Sequence, residues 1–551
     1  MWWLAAAFVL FVVWFCWQLF GPNPPIVVSK QTTYITAPLR PDGLPDYQKY
    51  VRDKLREGVT PENNAAVLMW QATGPGDLKP NEQAAVAKEL GISLPLRDRT
   101  LAPLFGETNR KLVAKLLTDR HSIPVSDSDD IVFDAIDVAM SAPWSSDQFP
   151  PIAAWIEENQ HQLDLLVGAS TRDRYYFPSA SLLDNPTDGN WFYSLYVGVS
   201  LARDASRVLR ARAMWNLGEN RHEAAWQDLL AIHHLARLVS QNETTIDQLV
   251  AVAIDGIALE ATQTLLADER LSASLARQIQ NDLNALPPTA RFAEAFDGLE
   301  RIWFLAIVPY AAESGAGSYL TTMTGDSEPA FHPLDHVAVD WNVTLRLANQ
   351  WYDRLAAVFN EPNNVKRKQA IAKVEAELAQ LSSQSQEPST WAASAISPYR
   401  RSNLVAAAMI VNTTSAIDAL AAAMDRANTQ LEITRLAAAL AVYRTGHGQY
   451  PDKLEQLVPD IPAQLPVDLY HAKPFIYHPD GEGYLLYSTG PNGIDGGGSH
   501  EQWEIAAGRR LDEFSEQKAE AARKQIPAGA DDLSIRVPRP PFQLPTPSPS
   551  P

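Results

Sequence analysis

The chain has 551 residues, of which 46 are Lys or Arg and 65 are Asp or Glu, for a net charge of −19, and it contains one cysteine. Such a length calls for two or three hydrophobic cores. With no basic cluster of five or more residues, the chain is a poor match to nucleic acid or to anionic lipid surfaces, both of which are bound by neutralising phosphates with Lys and Arg. The lone Cys16 excludes an intramolecular disulfide and a cysteine-based zinc site, and it leaves the redox compartment open.

Residues 2–20 are apolar apart from Gln18, and a helix over them would be about 28 Å long, close to the hydrocarbon thickness of a bilayer. Trp2, Trp3, Trp14 and Trp17 are placed as interfacial aromatics, and Gly21-Pro22-Asn23-Pro24-Pro25 stops the helix. A secretory signal peptide would need a basic start and a small-x-small cleavage site, and neither is present. The expectation is therefore a single-pass membrane anchor over 1–20, with the bilayer as its partner. Lys30 and Arg40, the nearest cations beyond it, weakly favour a cytoplasmic body. Residues 21–47, rich in proline, read as an extended tether.

From 48 to 390 the pattern is helical, and an irregular array of helical hairpins is expected. Thr60-Pro61-Glu62 reads as an N-cap, first-turn proline and acidic first turn ahead of a helix over 65–71. Another helix starts after Pro150-Pro151 and continues through Leu163 and Leu166. Residues 120–150 and 170–190 carry Pro, Ser, Asp and Asn clusters and read as loops. Met214–Gly218 and Ala224–Leu230 form a helical hairpin resembling one tetratricopeptide unit, but no second copy recurs at a fixed period. Further helices are expected over about 244–267, 272–286, 290–312, 341–359 and 364–381. In the 341–359 segment Trp341, Leu345, Ala348, Tyr352, Leu355 and Phe359 form one stripe. Residues 382–390 read as a linker, and 538–551 as a Pro-rich disordered tail.

The last module, 400–537, reads as a long helix over 404–443 with a possible break at 412–415. It is followed by strand-like bursts at 475–477 and 484–487 around a hairpin loop at 479–483, and by a third strand at 533–537. Leu440-Ala441-Val442-Tyr443, Gly448-Gln449-Tyr450-Pro451, Pro466-Val467-Asp468, Lys473-Pro474-Phe475-Ile476-Tyr477 and Ser488-Thr489-Gly490-Pro491-Asn492-Gly493 together resemble the globular C-terminal domain of the type II secretion major pseudopilin. The resemblance implies a helix packed on a small antiparallel sheet, with a glycine-rich loop after the second strand that can bind calcium. It would place Asp495, with Asp531 and Asp532, around Ca2+, which takes six to eight oxygens. Two features depart from the family. Asn492 stands where an aspartate is usual, and a charged helical insertion near 502–525 separates Asp495 from Asp531. Pseudopilins also begin with a Gly processing site and a helix with Glu at its fifth position, and neither is found here. The alternative for these residues is a glycine turn with solvated carboxylates.

Upstream, the best constellation for chemistry is His332, His336 and Asp340. These could hold zinc with an open position, although Pro333 disrupts helical presentation and no HExxH glutamate accompanies them. His233, on an apolar face, reads as a core histidine. Asp255, among Ala251, Val252, Ala258 and Leu259, reads as a buried carboxylate, its pKa raised unless an Arg such as Arg210 or Arg212 pairs with it. Three functions follow as expectations. The first is a non-catalytic helical interaction scaffold anchored in the bacterial inner membrane, with a periplasmic body and a pseudopilin-like end, as the C-terminal resemblance suggests. The second is a component of a type II secretion or pilus-like apparatus. The third is a metal-dependent hydrolase.

Overall fold

Helical periodicity governs most of the chain in a computed structural model that describes residues 2–76, 78–94, 99–122, 124–178, 197–315, 337–413, 416–457, 465–498 and 531–545. The first helices are α1 (Trp2–Phe20), α2 (Tyr47–Arg56), α3 (Ala65–Thr73), α4 (Pro80–Leu90), α5 (Glu107–His121), α6 (Asp130–Ser141), α7 (Pro150–Glu158) and α8 (Gln160–Ser170). The central helices are α9 (Val197–Gly218), α10 (His222–Val239), α11 (Thr245–Ala267), α12 (Ala273–Ala285), α13 (Phe292–Asp297) and α14 (Leu299–Ser314). The last are α15 (Trp341–Phe359), α16 (Asn364–Gln386), α17 (Pro388–Ala395), α18 (Pro398–Thr413) and α19 (Ile417–His447), ahead of strands β1 (Ile476–Asp480), β2 (Gly483–Ser488) and β3 (Leu533–Val537). The three strands form one antiparallel sheet in the order β1-β2-β3. Ile476 lies opposite Tyr487, and Ser488 opposite Leu533.

Several boundaries differ from the sequence reading, each for a specific physical reason. Asn64, not Thr60, caps α3, its side chain accepting from the Ala66 amide at 3.1 Å. The run beginning at Pro150 breaks at Asn159, which is fully buried; its Oδ1 accepts from the Ala102 amide at 3.1 Å and its Nδ2 donates to the Trp155 carbonyl at 2.7 Å. The expected helix over 290–312 divides at Gly298, where a Cβ would meet the Glu243 carboxylate at 2.1 Å. The expected loop over 120–150 contains α6, whose buried Val132, Ala135, Ile136 and Ala139 keep helical spacing. The expected linker over 382–390 is also helical: α16 runs to Gln386 and Pro388 opens α17 as a first-turn proline.

Two apolar clusters hold the body, and they do not follow the expected division near 390–400. One joins Trp70, Trp144, Leu229 and Ile254 to Leu440 on α19 and to Leu486 and Ile535 of the sheet. The other gathers the stripe of α15, including Trp341, Leu345 and Tyr352, with Val405, Met409 and Ile417. α19 belongs to both: Ile417 and Leu420 lie in the second, while Ile433, Leu436 and Leu440 lie in the first. The stretch ahead of α2 is irregular, as expected, but it is no free tether. Thr32, Thr33 and Ile35 are buried, and Asn349 of α15 donates to the Thr32 carbonyl at 2.7 Å. The chain after β3 likewise packs back through residue 545, with Phe542 6.0 Å from Phe149 and Arg539 bonded to Gln263 at 2.6 Å. Residues 546–551 lie outside the described residues, as does the expected insertion near 502–525.

Among the described residues, three stretches of helix are long and apolar enough to cross a membrane: α1, α11 and the run Pro398–His447. α1 has no buried residue. α11 is mostly buried and packs against α9, α10 and α19, so its apolar surface already has protein partners. The last run comprises α18 and α19, both of which contribute to the cores just described.

The Gly490 position in the loop after β2 explains one glycine of the 488–493 run. It has φ +65°, and a Cβ there would stand 2.0 Å from the Asp531 carbonyl oxygen, whereas Gly493, at φ +67°, faces open space. Both positions suit glycine, but only the first also requires close backbone approach. Gly490→Ala is expected to lower the denaturation midpoint more than Gly493→Ala, whose cost should stay near the ~1 kcal/mol of left-handed strain alone; chemical denaturation followed by circular dichroism measures both.

Candidate functional site

His233 and Arg237 lie one turn apart on α10, and Asp255 and Thr262 two turns apart on α11, so helical spacing alone brings the four side chains to one seam. His233 Nδ1 lies 2.7 Å from Asp255 Oδ1 and its Nε2 lies 3.2 Å from Thr262 Oγ1. Arg237 bonds to the same Asp255 oxygen and donates to the His233 carbonyl at 3.1 Å. Thr289, in the loop after α12, donates to Asp255 Oδ2 at 2.6 Å. The hydroxyl–imidazole–carboxylate chain has the connectivity of a hydrolytic triad. Its exposure does not suit that chemistry: His233 and Thr262 are 0% exposed and Asp255 1%. With no solvent or substrate at the hydroxyl, the seam acts as a polar lock between α10, α11 and the 286–291 loop.

The core reading of His233 agrees with this geometry, but the Asp255 partner expected from the sequence does not. Arg210 pairs with Glu260 at 3.0 Å, and Arg212 lies between Asp228 at 2.6 Å and Asp164 at 2.7 Å. Both are on α9, while Arg237 is already one turn from His233. Burial would push the Asp255 carboxyl up, but the Arg237 charge and the His233 bond outweigh it and hold the group below the usual carboxylate range. Burial lowers the His233 imidazole, and the Asp255 bond only partly opposes this.

The resemblance-based calcium residues are occupied by loop amides. Asp495 Oδ1 accepts from Tyr487 Oη and from the Gly497 amide, both at 2.9 Å. Asp531 Oδ2 accepts from the Asn492 amide at 3.1 Å, and Asp532 Oδ2 from the Gly498 amide at 2.7 Å. Among the described residues no group of three or more His, Cys, Asp or Glu is arranged to hold a metal ion. Each of the three carboxylates fastens a turn of the loop through the amide it accepts. Sequence reading missed Asp468, which is fully buried and accepts from His471 Nδ1 at 2.7 Å, the Tyr470 amide at 3.0 Å and the Thr489 amide at 3.3 Å. It ties the chain before β1 to the end of β2.

His332 and His336 lie outside the described residues. Asp340 caps α15, its Oδ1 accepting from the Asn342 amide at 3.1 Å, while its own amide donates to Ser402 Oγ at 2.8 Å.

A second polar cluster secures the end of α1. Arg401 is 2% exposed, and its guanidinium donates to the Gln18 carbonyl at 2.6 Å, the Ala338 carbonyl at 2.6 Å and the Ser394 carbonyl at 2.9 Å. The Leu19 carbonyl accepts from the Ala338 amide at 2.7 Å, and Asn23 Oδ1 accepts from the Val339 amide at 2.8 Å. Asn342 continues the seam, donating to the Pro25 carbonyl at 3.0 Å and accepting from the Val27 amide at 2.7 Å. A cation on the last carbonyls of a helix satisfies unpaired acceptors and complements the helix dipole. Compared with family models, curated proteins and solved structures, the chain matches none.

Two outcomes follow for the His233 seam. Asp255→Asn removes the counter-charge of a buried Arg237 and is expected to cost about 3 kcal/mol of folding stability, read by denaturant titration of the full chain. Both His233 and Asp255 bind protons less readily folded than unfolded. Their contribution is therefore complete above the ordinary histidine pKa of about 6.5 and is lost as pH falls, first through His233 and then, at more acid pH, through Asp255. His233→Gln is expected to flatten that loss between about pH 7 and 5. Reading the difference between the two curves removes buried acids of opposite sign such as Asp247, which burial pushes up to about 7.

Proposed function

We propose that this chain is a single-pass protein of the bacterial inner membrane whose helical body is a non-catalytic interaction scaffold with a pseudopilin-like end. The observation that carries the reading is α1, an apolar helix with no buried residue, joined at its C-terminal end to a body into whose cores the other long apolar helices pack. Among the described residues, the body meets this helix only at its last turn, and lipid is the solvent in which exposed apolar surface of that length is stable. The pairing of α19 with β2 and β3 supports the pseudopilin-like reading of the end, and that likeness in turn favours a periplasmic body.

The experiment is fractionation followed by protease treatment. The intact protein is expected to stay with membranes through alkaline carbonate extraction, and its body to be cleaved in spheroplasts without detergent. Release into the supernatant would overturn the anchor, and protection in intact spheroplasts would reverse the orientation.

A further inference from the structure

The Arg401 cluster does more than hold α1. The same guanidinium that donates to the Gln18 carbonyl also donates to the Ser394 carbonyl, so the chain from 394 to 401 is an arc closed on the end of the anchor. Ser402 Oγ donates to the Pro398 carbonyl at 2.8 Å and accepts from the Asp340 amide, which fixes the arc from its other side. Ile396 lies two residues from one end and Tyr399 two residues from the other, each within about 7 Å of backbone from its fixed point. These two side chains are 56% and 65% exposed, as Trp17 and Phe20 of α1 are at 66% and 63%, and Arg401 ties the arc to the carbonyl of Gln18, between those two aromatics in sequence. Apolar side chains held outward beside the end of a membrane helix occupy the headgroup–acyl boundary, where tyrosine and tryptophan are enriched.

We propose that the arc 394–401 is a second membrane contact: Ile396 and Tyr399 insert into the interfacial layer of the leaflet from which α1 emerges, and Arg401 sets their depth. The inference rests on the anchor reading of α1, since the occupant of the surface is the bilayer continuous with that helix. Together the two contacts fix the tilt of the body against the membrane, which a single helix end could not do. Burial of apolar surface drives the contact, with no requirement for anionic lipid.

The test uses the full-length chain in phosphatidylcholine nanodiscs. An environment-sensitive fluorophore is attached to Ile396→Cys or Tyr399→Cys in a Cys16→Ala background, and to native Cys16 in the unaltered chain. Val365→Cys is the water-exposed control. Val365 is 63% exposed and sits at the start of α16, whose other end adjoins α17, about 30 Å away along the helix. Labels at 396 and 399 are expected to show blue-shifted emission and quenching by lipid spin-labelled near the headgroup, with the 365 label showing neither. Emission at 396 and 399 equal to that at 365, with Cys16 quenched by lipid spin-labelled at the acyl terminus, would overturn the second contact and leave the anchor standing. Loss of quenching at Cys16 as well would overturn both. Both substituted side chains are largely exposed, so the variants leave the core intact, and circular dichroism checks this.

Discussion

One helix shared between two cores holds this fold together. α19 is 31 residues long, about 46 Å. Its first turns pack on α16 and share a cluster with α15 and α18, and its later turns pack with the α3–α12 body and the sheet. A residue such as Leu440 is therefore a core residue of the N-terminal helices as much as of the strands. The consequence is mechanical: neither half can lose its packing without exposing part of the same rigid rod. A C-terminal module that could be cut away near residue 390 would need a core of its own, and here the sheet has its inner face on α19 and its tail on Phe149 and Gln263.

The anchor joins the second of these cores. Asn342 and Asn349, on the same helix as the α15 stripe, hold the chain that leaves α1, while Arg401 at the start of α18 holds its end. Proline-rich sequence between a membrane helix and a folded body usually acts as a spacer. In this chain the prolines set an extended path whose amides and carbonyls are taken up by side chains of α15 and its neighbours. The body therefore stands at the membrane in a defined pose, which suits a scaffold that must present a particular face to partners.

Much of this was legible in the sequence, because long apolar periodicity is a strong signal. α1, the stripe of α15, the hairpin of α9 and α10, and all three strands read directly from spacing and turn residues. The breaks at Asn159 and Gly298 were not legible, because each depends on a neighbour distant in sequence, Ala102 in one case and Glu243 in the other. The Asp255 partner was misread for a related reason. A buried carboxylate signals that a cation is needed without saying which, and the nearest one, Arg237, was on the same helix as His233. Arg401 belongs to no motif, and Asp468 was read only as one residue of the Pro466–Asp468 run, with no role of its own. Their importance lies in the carbonyls and amides they gather, which are backbone groups that every sequence contains. The calcium expectation came from likeness, which does not disclose the loop amides that the same three carboxylates accept.

Native-state hydrogen exchange on the full-length protein in nanodiscs tests most directly whether the shared helix makes one unit of the two cores. Amides of β2, residues 484–488, and of α15, residues 345–359, are compared as denaturant is raised. Their opening free energies are expected to converge on a common value, because unfolding either region strips part of α19. A sheet whose amides open at a distinctly lower free energy, with α15 unaffected, would contradict the account and restore an independent C-terminal domain.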